Sequence, residues 1–214
     1  MTMLLALALP GCAAYTVGGG HGNSGVVRGT VSAAPQAEAA ATVETSPRDA
    51  VVYLDAAEAG ELGRAPTPVT LMVRVGRTFE PRVTVVCVGS RVRFENHDIL
   101  YHSVFSVSPT KRFDTGLFGG DHAKIVVFSQ PGVVELHCGI DDAVGYVLVV
   151  PHALFARPDA SGAFAIGPLP RGTWTLKAWH PVWGNASTTV EVGAVTPTVA
   201  LRFAGNQPRT SALP

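Results

Sequence analysis

An all-β protein is the fold class this sequence predicts, and three observations predict it. Val, Thr and aromatic residues fall in short runs, and those runs either alternate apolar with polar positions or are apolar throughout. Gly and Pro, 23 and 16 of them, punctuate the chain between the runs. No segment keeps the period of about 3.6 residues that a long amphipathic helix requires. The 214 residues are 47% hydrophobic, enough for real cores in one large domain or two small ones. Lys+Arg and Asp+Glu are equal at 16 each. There is then no basic field for nucleic acid and no acidic tail, which leaves small molecules, metals and proteins as partners.

From the N terminus, Leu4 to Leu9 is an apolar run too short to span a bilayer. It ends in Leu9-Pro10-Gly11-Cys12, which resembles the lipobox of bacterial lipoproteins, where the cysteine is lipidated; Pro10 is unusual inside such a box. An ordinary secretory signal with an incidental cysteine is the alternative, and both imply export to the periplasm or cell surface. No Lys or Arg precedes the run, so a start upstream of Met1 is expected. Residues 1–24 read as this leader followed by a Gly-rich tether, with His21 solvated.

Strands are expected at Val26 to Val31 (VVRGTV) and Ala50 to Asp55 (AVVYLD), separated by an Ala-, Pro- and Glu-rich surface loop from Ala33 to Pro47. Ala56 to Pro68 reads as a linker. Val69 to Val73 follows, then Val83 to Val88, apolar on both faces. Beyond a Gly-Ser turn, Val92 and Phe94 alternate with Arg91, Arg93 and Glu95, the pattern of a half-buried strand. Further strands are expected at His102 to Ser106, Lys124 to Phe128, Val133 to Cys138 and Tyr146 to Val150. Short strands at this spacing, joined by Gly and Pro turns, suit a sandwich or barrel.

Three pieces of the stretch 66–151 resemble the cupredoxins, specifically the plastocyanin-like domains of exported bacterial proteins: Phe79 to Pro81 leading into VTVVCVGSRVRFEN; NHDILYHSVFS; and FSQPGVVELHCGIDDAVGYVLVV. Asn96, Asp98 and His102 match the family's Asn-x-Asp loop and its first copper-binding histidine. The resemblance implies a Greek-key sandwich or barrel holding a type 1 copper site for electron transfer. In that site a Cys thiolate and two imidazoles hold the metal, with a weak axial Met. Here His102 and Cys138 match, Asp141 stands where the second His belongs, and Val144 stands at the axial position. A carboxylate in place of an imidazole hardens the site and disfavours Cu(I), so the site reads as incomplete.

No other histidine is an obvious replacement. His137 neighbours Cys138, but successive strand residues face opposite ways, so it points outward with Glu135 if Cys138 points inward with Leu136 and Val134. His97 reads as a solvated loop residue, and nothing places His122 near Cys138. Cys87 reads as a buried small hydrophobe, and no local signal supports a disulfide with Cys138.

The stretch from Phe155 to Phe203 resembles a carboxypeptidase regulatory-like domain, a small Ig-like or transthyretin-like β-sandwich. Asp159, Gly162 and Phe164 form its turn motif, and Pro170, Gly172 and Trp174 its hairpin motif. Trp174, Leu176 and Ala178 share one strand face and read as core, with Trp179 on the other; His180 reads as a strand-end polar residue and Trp183 as covering an interface. The family's opening strand pair is matched far upstream by VVRGTV and AVVYLD, so residues 25–57 together with 152–206 are expected to form this unit, with 66–151 inserted and 207–214 a tail.

No Gly-x-Ser-x-Gly elbow, His-Glu-x-x-His helix or phosphate loop is present, and Asp141-Asp142 does not supply separated carboxylates, so an enzyme is not expected. Two classes remain. One is a cell-envelope binding or scaffold module that keeps the cupredoxin fold without its metal. The other is a copper-binding electron carrier using His102 and Cys138, with a redox or envelope protein as partner and the membrane reached only through a lipid anchor.

Overall fold

The computed structural model describes residues 24–35, 37, 45–55, 69–120, 122–195 and 198–205. The expectations for Cys12, the leader, the tether, the linker and the tail lie outside the described residues. The described chain forms strands β1 (Ser24–Ala33), β2 (Val51–Leu54), β3 (Val69–Val75), β4 (Thr78–Glu80), β5 (Val83–Cys87), β6 (Ser90–Asn96), β7 (Phe105–Ser106) and β8 (Phe113–Asp114). It continues with β9 (Ala123–Phe128), β10 (Gly132–His137), β11 (Val144–Val150), β12 (Phe155–Ala156), β13 (Ala163–Pro170), β14 (Gly172–His180), β15 (Gly184–Val192) and β16 (Thr198–Phe203). The protein is all-β, as expected.

Two sheets, ordered β4-β3-β6-β9 and β5-β11-β10-β7-β8, enclose a first core that includes Met72, Phe79, Val92, Phe94, Phe128, Leu136 and Val147. The β3–β6 and β5–β11 pairings are parallel. The remaining sheets, β13-β1-β16 and β12-β2-β14-β15, enclose a second core that includes Val27, Leu54, Ile166, Trp174, Leu176, Leu201 and Phe203. Here β1 pairs with β13 and β16, and β2 with β12 and β14, so strands preceding β3 in sequence bond to strands following β11.

A third apolar cluster lies between the two cores, and strand alternation builds it. In β5, Val86 enters the first core while Val83, Val85 and Cys87 enter the third cluster. In β11, Val147 and Val149 go one way and Tyr146, Leu148 and Val150 the other. Val51 and Tyr53 of β2 and Trp179 of β14 meet them from the second unit, with the Tyr146 and Trp179 rings edge to face at 5.5 Å. Runs apolar on both faces are thus strands with a core on each side. Polar contacts reinforce the junction: Arg157 Nη1 donates to the Val83 carbonyl at 2.7 Å, and Arg82 pairs with Asp49 at 3.4 Å.

Three sequence expectations are corrected. The strand expected from His102 to Ser106 shrinks to Phe105–Ser106, with His102 in an isolated bridge to Phe118 and the Val104 amide donating to the Thr115 hydroxyl at 2.9 Å instead of to a strand backbone. Cys87 is buried but disulfide-bonded, so it is not the free thiol expected. Trp183 does not cover the junction. The turn after β14 folds it back onto the second core, where it stacks on His180 at 3.9 Å, and Trp179 takes the place at the junction.

Candidate metal centre

One end of the first core is closed by two loops, and each contributes polar atoms to the same point. The first loop follows β6. Asn96 is fully buried; its amide nitrogen donates to the carbonyls of Leu100 (2.7 Å) and Phe118 (3.0 Å), and its side-chain oxygen accepts from the Asp98 amide at 2.9 Å. This side-chain-to-backbone closure, for which Asn is suited, sets the loop's path. Asp98 then accepts from the Ile99 amide at 2.7 Å through Oδ1 and places Oδ2 3.0 Å from His102 Nε2. Paired bonds between the His102 and Phe118 backbones (3.2 and 2.8 Å) hold the histidine's main chain.

The second loop follows β10. Alternation carries Val134, Leu136 and then Cys138 into the first core, so the thiol arrives just beyond the strand's end. The Gly139 amide donates to Ser103 Oγ at 3.0 Å, and the Ile140 amide lies 3.5 Å from Cys138 Sγ. Asp141 accepts from the Ala143 amide through Oδ1 at 3.0 Å, which turns Oδ2 inward. Asp142 turns outward to Arg77, whose Nε lies 3.1 Å away, and this partner holds the Asp142 carboxyl below the usual carboxylate range.

His102 Nδ1 lies 3.4 Å from Cys138 Sγ and 3.5 Å from Asp141 Oδ2. One ligand atom from each of the three residues falls within 4.8 Å of the others. His102 and Cys138 are 2% and 6% exposed, so they offer these atoms from inside the protein. The hydrogen bond with His102 lowers the Asp98 carboxyl below its ordinary range. The donor set pairs a soft thiolate with a borderline imidazole and a harder carboxylate. It fits a divalent ion that accepts mixed ligands, such as Cu(II), Zn(II) or Co(II).

The structure therefore brings together His102, Cys138 and Asp141. Among the described residues it does not bring in the three histidines weighed as replacements: His97 lies 3.0 Å from Glu95, His137 pairs with Glu135 at 3.4 Å and stacks on Phe105, and His122 is exposed. Val144, which the cupredoxin resemblance puts at the axial position, packs against the third cluster, whereas its neighbour Ala143 joins the core that contains Cys138. Its strand phase aims it away from the site. In the sequence Asp98 is only part of the Asn-x-Asp motif, and Ser103 carries no functional signal. The Asp98-to-His102 spacing was the available signal for the first, and nothing local marked the second.

No protein-family profile and no curated protein sequence matches the chain. Solved cupredoxin structures are similar to part of it. An oxidised methionine-to-lysine variant of amicyanin covers 48% of this chain and 99% of its own, at 19% identity and a TM-score of 0.37. A purple cupredoxin from Nitrosopumilus maritimus covers 37% of this chain and 98% of its own, at 22% identity and 0.34. A copper-containing nitrite reductase from Thermus scotoductus covers 57% of this chain and 28% of its own, at 23% identity and 0.38. These comparisons give no support to the carboxypeptidase regulatory-like resemblance of the second unit.

Proposed function

We propose that this chain is an exported, non-enzymatic metal-binding protein of the cell envelope, in which His102, Cys138 and Asp141 hold a copper ion. The observation that supports it is the convergence of the three donors within 4.8 Å at the buried end of the first core. A thiol, an imidazole and a carboxylate brought within reach of one point are the donor types that divalent transition metals accept together. Copper heads the divalent affinity order for mixed N, O and S donors. When bound, copper would supply one-electron chemistry, but two anionic donors with a single imidazole favour Cu(II), so the site suits holding the ion more than shuttling electrons. Export rests on the reading of residues 1–12.

A thiol, an imidazole and a carboxylate in sequence, as in Cys138, His102 and Asp98, also match the order of nucleophile, base and orienting group. Burial of the thiol argues against that use, because a substrate carbonyl must reach sulfur. A second reading, a binding module without metal, is favoured by the exposed Ile99, Leu100, Tyr101, Leu117 and Ile140 on the segments adjoining the site.

Anaerobic Cu(II) titration of the purified protein separates the readings. The metal reading expects one equivalent bound with thiolate-to-copper charge transfer, and loss of that band in Cys138→Ala. His102→Ala and Asp141→Ala should each weaken binding at least as much as loss of a supporting group does, on the order of 10–100-fold. Absence of binding by the folded parent would leave the scaffold reading.

A further inference from the structure

We propose that Asp98 is a positioning residue: through Nε2 it fixes the tautomer of His102 and so keeps the Nδ1 lone pair aimed at Cys138 and Asp141. This inference rests on the metal-site reading above.

A neutral imidazole has one N–H and one lone pair, and the partner of one nitrogen determines what the other presents. A carboxylate only accepts, so Asp98 Oδ2 at 3.0 Å requires the proton on Nε2. The carboxylate is itself located: its backbone amide is bound by Asn96, and its Oδ1 accepts from Ile99. The backbone of His102 is held by Phe118 on both its N–H and C=O.

The arrangement matters because a second carboxylate competes for the same proton. Asp141 Oδ2 lies 3.5 Å from Nδ1. If Asp98 is removed, Asp141 is the carboxylate left beside the ring, and a proton drawn to Nδ1 would occupy the lone pair that a metal needs. Asp98 thus acts through His102 and touches no ligand position itself.

The test uses Co(II), a visible probe of thiolate ligation, together with nitrogen-15 NMR of the His102 ring in the metal-free protein at mildly alkaline pH. In the parent the proton should sit on Nε2 alone. In Asp98→Ala it should move toward Nδ1, and Co(II) affinity should fall on the order of 10–100-fold with an unchanged circular dichroism spectrum. Asp98→Asn, which keeps an acceptor oxygen, should fall between the two. A merely structural role for Asp98 would leave the ring proton in place. Two results overturn the proposal: a parent ring with its proton on Nδ1, or an Asp98→Ala variant that binds Co(II) as tightly as the parent. If the parent binds no Co(II), the metal-site reading fails, and the NMR readout alone decides whether Asp98 sets the tautomer.

Discussion

His102 and His180 are both buried, and their partners give them different work. Carboxylates surround His102. Backbone groups surround His180: Nε2 lies 3.1 Å from the Ser46 carbonyl, and Nδ1 accepts from the Val182 and Trp183 amides. That set satisfies a neutral ring, and burial pushes its pKa down to about 4 from an ordinary 6.5. The unfolded chain therefore binds a proton that the folded one refuses between those values. Its contribution is fully present above about pH 6.5 and is lost as pH falls toward 4, up to about 3 kcal/mol. Burial moves His152 in the same direction. Urea unfolding at pH 7 and pH 4.5 should show the loss, and His180→Gln should flatten the dependence. A parent curve flat across that window would contradict it. At this scale the sequence was partly legible. Motif spacing named His102, Cys138 and Asp141, but the orientation of Val144 depends on a one-residue strand phase that spacing does not reveal. Burial of His180 was hidden for a related reason: the turn that folds Trp183 over it has no signature in the residues themselves.

The loop after β10 is the element on which the site depends, and two glycines separate site from scaffold. A Cβ on Gly139 would lie 2.6 Å from Ser103 Oγ, the acceptor of the Gly139 amide. Gly139→Ala should therefore displace the backbone next to Cys138 and weaken Co(II) binding while most of the stability remains. A Cβ on Gly145 in β11 would lie 2.9 Å from the Phe79 side chain. Gly145→Ala should cost about 1–3 kcal/mol by overpacking and leave the affinity close to the parent's. Chemical denaturation and Co(II) titration of both variants check the contrast. Equal effects on both readouts would show that the loop is not an independent determinant of the site. The longer strands were legible because alternation over five or more residues is a strong signal, as in Arg91 to Glu95. β4, β8 and β12 were not, since two or three residues cannot establish a period.

At the scale of the whole molecule, the two units share an apolar junction, and a shared core couples their unfolding. Trp179 is its centrepiece on the second unit, against Tyr146 on the first. Trp179→Ala should cost about 3–5 kcal/mol and destabilise both units together. Intrinsic fluorescence and thiolate–Co(II) absorption should report coincident unfolding transitions in the parent. Separate transitions would mean that the junction does not couple them. The junction was half legible: Val83 to Val88 could be read as buried on both faces, but what covered the outer face could not, because no local pattern names a partner distant in sequence. The account's central claim, that His102, Cys138 and Asp141 hold a metal, is tested most directly by X-ray absorption at the metal edge of the Co(II)-loaded chain. The prediction is one sulfur scatterer at roughly 2.3 Å, the usual metal–thiolate distance, with nitrogen or oxygen neighbours, and loss of the sulfur in Cys138→Ala. A first shell of nitrogen and oxygen alone in the parent would contradict it.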